Sequence, residues 1–211
     1  MANKILIFGG SGVGKTTSLR NLDPKSTYIN QVVRKDLPFR GWKAKFNKEN
    51  KNISVISSPS KIISLLKGLS ENAPHIKNVI IDDFQYCMGI EFMTTTITGY
   101  DKFTSIAKNA FSLLQAPDAL REDLTIIFLS HIENSEGLQK MKTIGKMLDE
   151  KIVPEGLFSI VLKAEFSDGN YHFKTQNSGS DTIKSPMGML DEKEPNDLRI
   201  VLDKITEYNK G

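Results

Sequence analysis

The sequence has little cysteine, histidine or arginine, no long apolar run and no large excess of charge. One cysteine, Cys87, excludes an internal disulfide framework and is what a reducing compartment leads one to expect. Three scattered histidines, His75, His131 and His172, suggest no zinc site. No apolar stretch approaches the roughly 20 residues of a membrane span. The first apolar run begins at residue 4, which leaves no room for a signal peptide, so a cytoplasmic protein without a membrane partner is expected. A net charge of +3 permits a nucleic-acid partner without demanding one. The length of 211 residues suits one domain, residues 1–211, with a substantial core.

Against this background one segment stands out. Gly9-Gly10-Ser11-Gly12-Val13-Gly14-Lys15-Thr16-Thr17 fits G-x-x-x-x-G-K-[ST]. Its glycines allow a tight loop whose backbone N–H groups converge on a polyphosphate. Lys15 can reach the β- and γ-phosphates, and the Thr16 hydroxyl can ligate Mg²⁺. The context fits as well. Lys4–Phe8 is an apolar run ended by glycine, as a buried parallel strand requires, and Thr16–Asn21 reads as a short helix stopped before Asp23-Pro24.

Strand-like and helix-like segments alternate along the rest of the chain, which predicts an α/β fold with a mostly parallel sheet and helices on both faces. Further strands are expected at Thr27–Asn30, at Asn52–Ser57 with Ile53, Val55 and Ile56 buried, at Val79–Asp82 and at Thr125–Ser130. Helices are expected after Ser58 (apolar at Ile62, Leu65, Leu66 and Leu69), over Tyr100–Gln115 and over Leu198–Tyr208. The Tyr100–Gln115 stripe comprises Phe103, Ile106, Ala107, Ala110, Phe111 and Leu114. Phe158–Phe166 and Asn170–Gln176 flank Ser167-Asp168-Gly169 as a C-terminal β-hairpin.

Val79-Ile80-Ile81-Asp82-Asp83 puts a carboxylate at the C-terminal tip of a buried strand, where open α/β sheets bind ligands. Asp82 is the candidate Mg²⁺ ligand, and Asp83 the candidate to polarise an attacking water. A further strand after it, Thr125–Ser130, suggests the ATPase arrangement in which an extra strand separates the P-loop strand from the Asp82 strand. At its tip, Ser130 or His131 would face the γ-phosphate; capping of the strand end is the other role open to the histidine. Met88–Gly99 and Glu133–Asp149, with Lys140, Lys142 and Lys146, are expected as long loops at the same edge. The segment Arg34–Lys51 interleaves Arg34, Lys35, Arg40, Lys43, Lys45, Lys48 and Lys51 with Phe39, Trp42 and Phe46. That pattern suits a single strand, with charge for phosphates and rings for bases. It also suits an excursion anchored on the core or on a second subunit.

The order of Gly9–Thr17, the Leu37-Pro38-Phe39-Arg40-Gly41 turn, Ile80–Asp83 and Leu129-Ser130-His131 resembles phage-encoded P-loop nucleotide-binding proteins of the AAA/RecA-like type, including single-strand annealing and recombination ATPases. The resemblance implies a RecA-like P-loop NTPase core that binds ATP and Mg²⁺, self-association into a homo-oligomer, and single-stranded DNA as partner, in the cytoplasm of an infected bacterial host. It places Met88–Gly99 and Glu133–Asp149 where the DNA-binding loops would lie. The chain departs from the RecA pattern at Asn30-Gln31-Val32-Val33, which holds no glutamate, so Asp83 would have to serve as base or hydrolysis would be weak. Completion of the site by a neighbouring subunit's lysine or Arg121 is a further expectation. A small-molecule or nucleotide kinase shares the P-loop, but its arginine-rich lid is not visible among Arg20, Arg34, Arg40, Arg121 and Arg199. A nucleotide-dependent assembly switch with little hydrolysis is the third reading. No guanine-reading segment is visible, which favours ATP over GTP.

Overall fold

A computed structural model describes residues 2–145, 148 and 151–210. Lys146 and Asp149, at the end of the second expected loop, lie outside the described residues. The described strands are β1 (Asn3–Gly9), β2 (Thr27–Gln31), β3 (Ile53–Val55), β4 (Asn78–Asp82), β5 (Thr125–Ser135), β6 (Leu138–Met141), β7 (Ile160–Ser167), β8 (Asn170–Lys174) and β9 (Lys193–Pro195). They line up as β3-β2-β4-β5-β1-β7-β8-β9, with β6 paired to β5. From β3 to β7 every pairing is parallel; β8 and β9 add antiparallel strands at one edge.

The apolar runs of β1, β4 and β5 follow from burial on both faces. Leu6, Phe8, Val79, Ile81, Ile126 and Phe128 point into one core, and Ile5, Ile7, Ile80, Ile127 and Leu129 into the other. The first core is closed by α2 (Pro59–Asn72), α3 (Gln85–Thr94) and α4 (Gly99–Gln115). The second is closed by the 3-10 helix Thr16–Asn21, by Leu37 and Phe46 around the single-turn helix α1 (Trp42–Lys45), and by α5 (Leu198–Tyr208). Asp197 caps α5, its side chain accepting from Arg199 N at 3.1 Å. Cys87 is fully buried in the first core, and burial pushes its thiol pKa up to about 12.

Strand β5 does lie between β1 and β4, in register with both (Ile5↔Ile127 and Ile80↔Ile127). The C-terminal hairpin is also present. Ser167 pairs with Asn170, leaving Asp168-Gly169 as a two-residue loop with φ of 54° and 75°, the left-handed pair that a type I′ turn needs.

Three expectations need correction. Strand β3 is short and at the sheet edge, so Val55 is half-exposed and Ile53 and Ile56 are only partly buried. Most of Met88–Gly99 is not a loop. Helix α3 runs through Thr94 because Cys87 and Met88 on one side, and Phe92 against Phe103 of α4, give it an apolar face to bury. The described part of Glu133–Asp149 is not a loop either. Strand β5 continues to Ser135, turns at Glu136-Gly137 (φ 52° and 82°) and returns as β6.

Candidate functional site

The parallel pairings of β1, β4 and β5 end at one edge, and there the Gly9–Thr17 loop, Asp82-Asp83 and His131 meet. The loop closes tightly against β7. A Cβ on Gly9 would come within 2.5 Å of the Ala164 carbonyl oxygen and 2.9 Å of a Val13 methyl, so only glycine fits. Gly14 has φ of 92°, and Ser18 N donates to its carbonyl at 2.9 Å as the 3-10 helix begins. Ser11, Gly12, Gly14, Lys15, Thr16 and Thr17 line one side of a cleft of about 350 Å³; Lys35, Asp36, Pro38, Asp83 and His131 line the other.

Lys15 is buried beneath the loop. Its Nζ donates to the carbonyls of Gly9 (2.9 Å) and Gly10 (2.6 Å). Burial lowers its pKa to about 8, against the upward pull of Asp83 and Asp82. Thr16 Oγ1 donates to Asp82 Oδ1 at 3.1 Å, across 66 residues of chain. Asp82 is completely buried, and that burial raises its pKa above the usual carboxylate value, with Lys35 pulling the other way.

Asp83 sits at φ of 63°, in left-handed backbone that a non-glycine residue adopts at a cost. This conformation turns the chain out of β4 and into α3, and Phe84 N then donates to Leu129 O of β5 at 2.9 Å. It also presents the Asp83 carboxylate to the cleft. Lys35 Nζ donates to Asp83 Oδ2 at 2.5 Å and lies 3.6 Å from Asp82 Oδ2. Burial would lower the Lys35 pKa, but the two carboxylates outweigh it and the net shift is upward. His131 Nε2 lies 3.6 Å from Asp83 Oδ1. Its pKa is lowered by partial burial and by nearby Lys15, which favours the neutral imidazole. Ser130, the alternative at this tip, is fully buried and donates to Gln85 Oε1 at 3.2 Å. The same Gln85 oxygen accepts from His131 N at 3.1 Å. Gln85 thus fixes the strand tip and leaves His131 as the residue on the cleft.

Thr16 and Asp82 offer two hard oxygen donors side by side, the kind of pair Mg²⁺ takes together with phosphate oxygens and water. Among the described residues no group of three or more His, Cys, Asp or Glu could hold a metal by itself. These residues fit a metal that arrives with a phosphate ligand rather than one in an all-protein cage.

The basic residues divide. Lys35, expected as a nucleic-acid contact, belongs to the carboxylate cluster. Lys45 Nζ donates to Arg20 O at 2.9 Å. Lys140 lies 3.6 Å from Glu133 across the β5–β6 hairpin. Arg34, Arg40, Lys43 and Lys142 are exposed. Phe46 is fully buried, with Phe39 edge-on to it at 6.4 Å and Trp42 half-buried against the same core. Lys43 Nζ lies 5.6 Å from the Trp42 ring. The aromatic residues therefore anchor the segment, while some of its charges face outward. Arg121 precedes β5 and so lies at the opposite edge, where it donates to Asp123 Oδ1 and to the carbonyls of Ala73 and Ile76.

The roles of Lys35 and Gln85 had no signal in the local sequence. Each is one long polar side chain whose partners lie 45 to 48 residues away.

No protein-family model matches the chain, and no curated protein matches it. Among the described residues no helix is long and apolar enough to cross a membrane.

Proposed function

We propose that this chain is a Mg²⁺-dependent P-loop NTPase of the RecA-like kind, binding and hydrolysing ATP and acting with single-stranded DNA. One observation carries the nucleotide reading. Lys15 and Thr16 from the P-loop and Asp83 from the end of a strand two places away line one cleft, and the buried Asp82 beside Asp83 is bonded to Thr16. The strand between them leaves its parallel pairing with β1 at His131, which lines the same cleft.

In this reading the backbone N–H groups of Gly10–Thr17 cradle the phosphates. Lys15 exchanges its two carbonyl partners for phosphate oxygens. Thr16 and Asp82 would hold Mg²⁺, which when bound neutralises charge on the phosphates. Asp83 accepts the proton of the attacking water, with His131 beside it donating to the terminal phosphate or to Asp83. Lys35 stands against both carboxylates and moderates their charge.

The DNA reading rests on the exposed Arg34, Arg40 and Lys43, which leave β2 at the same sheet edge as the P-loop. The Lys35 grip on Asp83 specifically favours one other outcome, a nucleotide switch with slow hydrolysis, because it ties up the candidate base.

Phosphate release from ATP with Mg²⁺, with and without single-stranded DNA, tests these readings together while Trp42 fluorescence is followed. Turnover lost in Lys15→Ala supports the NTPase. DNA stimulation with salt-sensitive quenching of Trp42 supports the DNA role. ATP binding without turnover favours the switch. Turnover indifferent to DNA but accelerated by phosphate acceptors sinks the DNA role in favour of a kinase.

A further inference from the structure

A second cleft, of about 490 Å³, adjoins the first and shares Gly12, Gly14 and Thr17 with it. Its other walls are Arg20, Tyr171, Pro195 and Asn196. None of these belongs to the phosphate and carboxylate machinery. They come from the 3-10 helix after the P-loop, from β8, and from the end of β9 with the residue that follows it.

The walls are tied together. Arg20 donates from one guanidinium nitrogen to Asn196 O (2.5 Å) and Thr17 O (3.3 Å). Asn21 Nδ2 donates to Asp197 Oδ2 at 2.5 Å. The cleft is thus a fixed feature of the fold rather than a gap between loose segments. Tyr171 is half-exposed, and its ring lies 4.6 Å from that of Phe166 across the β7–β8 hairpin. A tyrosine ring and a planar guanidinium on one cleft are stacking faces for a flat heterocycle.

Asn196 is the decisive residue. It is only 6% exposed, and its Nδ2 finds no hydrogen-bond partner among the described residues. A buried amide without a partner costs free energy and is uncommon in a folded protein. Its side chain packs directly on the P-loop: a Cβ on Gly14 would lie 2.9 Å from its Oδ1. It therefore lies where the phosphate-binding loop meets the second cleft. An amide with one donor and one acceptor side by side matches the edge of adenine, which offers the complementary pair.

We propose that this cleft takes the adenine base and ribose of the nucleotide whose phosphates lie in the P-loop, with Asn196 reading the base edge and Tyr171 and Arg20 supplying stacking faces. The assignment rests on the P-loop reading above. It makes the C-terminal β8–β9 region, and not the P-loop alone, the source of nucleotide selectivity.

The test compares calorimetric binding of ATP with that of tripolyphosphate, both with Mg²⁺. Tyr171→Ala changes an exposed side chain and keeps the fold. It is expected to weaken ATP binding by roughly tenfold while leaving tripolyphosphate within about twofold. Asn196→Ala is expected to do the same and to bring GTP and ATP affinities together, since guanine lacks the donor–acceptor pair that adenine presents. Lys15→Ala is expected to weaken both ligands. If Tyr171→Ala and Asn196→Ala leave ATP binding intact while Lys15→Ala weakens it, the base assignment falls and the P-loop reading stands. If Lys15→Ala leaves both ligands unaffected, the P-loop reading falls and takes the assignment with it. Photolabelling of the unaltered protein with 8-azido-ATP gives an independent readout. Adducts on Tyr171 or the 193–197 segment support the assignment, and adducts confined elsewhere overturn it.

Discussion

The two edges of the parallel sheet use the same residue types to opposite ends. At the edge where the strands begin, basic side chains pair with carboxylates that are exposed. Lys77 meets Asp123 at 2.5 Å, Arg121 meets Asp123 at 2.6 Å, and Lys4 meets Asp118 at 2.7 Å. Hydrogen bonding from Lys77, joined by Arg121, outweighs burial and holds the Asp123 carboxyl below its usual pKa. At the edge where the strands end, Lys15 and Asp82 are buried, and both are shifted toward their neutral forms. Asp83 adds left-handed backbone. Charge that favours the folded state at one end burdens it at the other. Buried charge and strained backbone thus gather on one cleft at some expense in stability.

The largest effect should come from removing the cation that the cleft buries. Lys15→Ala is expected to cut ATP turnover by at least about a hundredfold, measured as phosphate release, since it removes charge stabilisation on the transferring group. Backbone closeness comes next. Gly9→Ala drives a methyl into the Ala164 carbonyl and should lower stability by about 1–3 kcal/mol in denaturant unfolding, with nucleotide binding impaired alongside.

Asp82→Asn sharpens the contrast because it should move stability and activity in opposite directions. The folded-state pKa of Asp82 lies above its unfolded value, so in unfolding titrations the wild-type protein loses stability as pH rises from about 3.8 through the folded pKa. The asparagine variant lacks that loss. Its Tm at pH 7 should rise by roughly 2–4 °C while turnover falls. A lower Tm would show that the Lys35 and Thr16 contacts to the carboxylate outweigh its burial.

The smallest effect belongs to the other edge. Asp123→Asn removes an exposed partner and should change stability by less than about 0.5 kcal/mol, with the difference shrinking further in high salt. Its contribution has the opposite sign to that of Asp82. It is present above the ordinary carboxylate pKa and is lost as pH falls through the lowered folded value.

What could be read in advance follows the range of the interaction. The glycine loop after β1, the Asp82 strand end and the Asp168-Gly169 turn depend on local spacing and lie where the sequence places them, and the strand expected beside β1 and β4 lies between them. Helix α3 escaped because its stretch, Gln85–Thr94, mixes glycine, methionine and threonine, and its helicity depends on packing against α4. The β5–β6 hairpin did carry a signal, since Glu136-Gly137 between Ser135 and Leu138 is a glycine-containing two-residue turn. Lys35 could not have been placed from its neighbours. It sits in a basic run, and only the sheet order brings it onto Asp83. The exposure of Val55 is not legible because an apolar residue type does not distinguish an edge strand from a central one. Asn196 has no motif around it, and only the fold brings it against Gly14.

The lone thiol has an experimental consequence. Cys87 sits on α3 four residues after Asp83, fully enclosed and with its ionisation pushed to about 12. A thiol in that state is nearly inert to alkylating reagents, so any labelling at neutral pH must wait for the helix to lift from the sheet. The protein therefore carries a built-in clock for the opening of its own core. Slower alkylation with nucleotide bound would time, without an added probe, how firmly the ligand clamps the strand ends beneath α3.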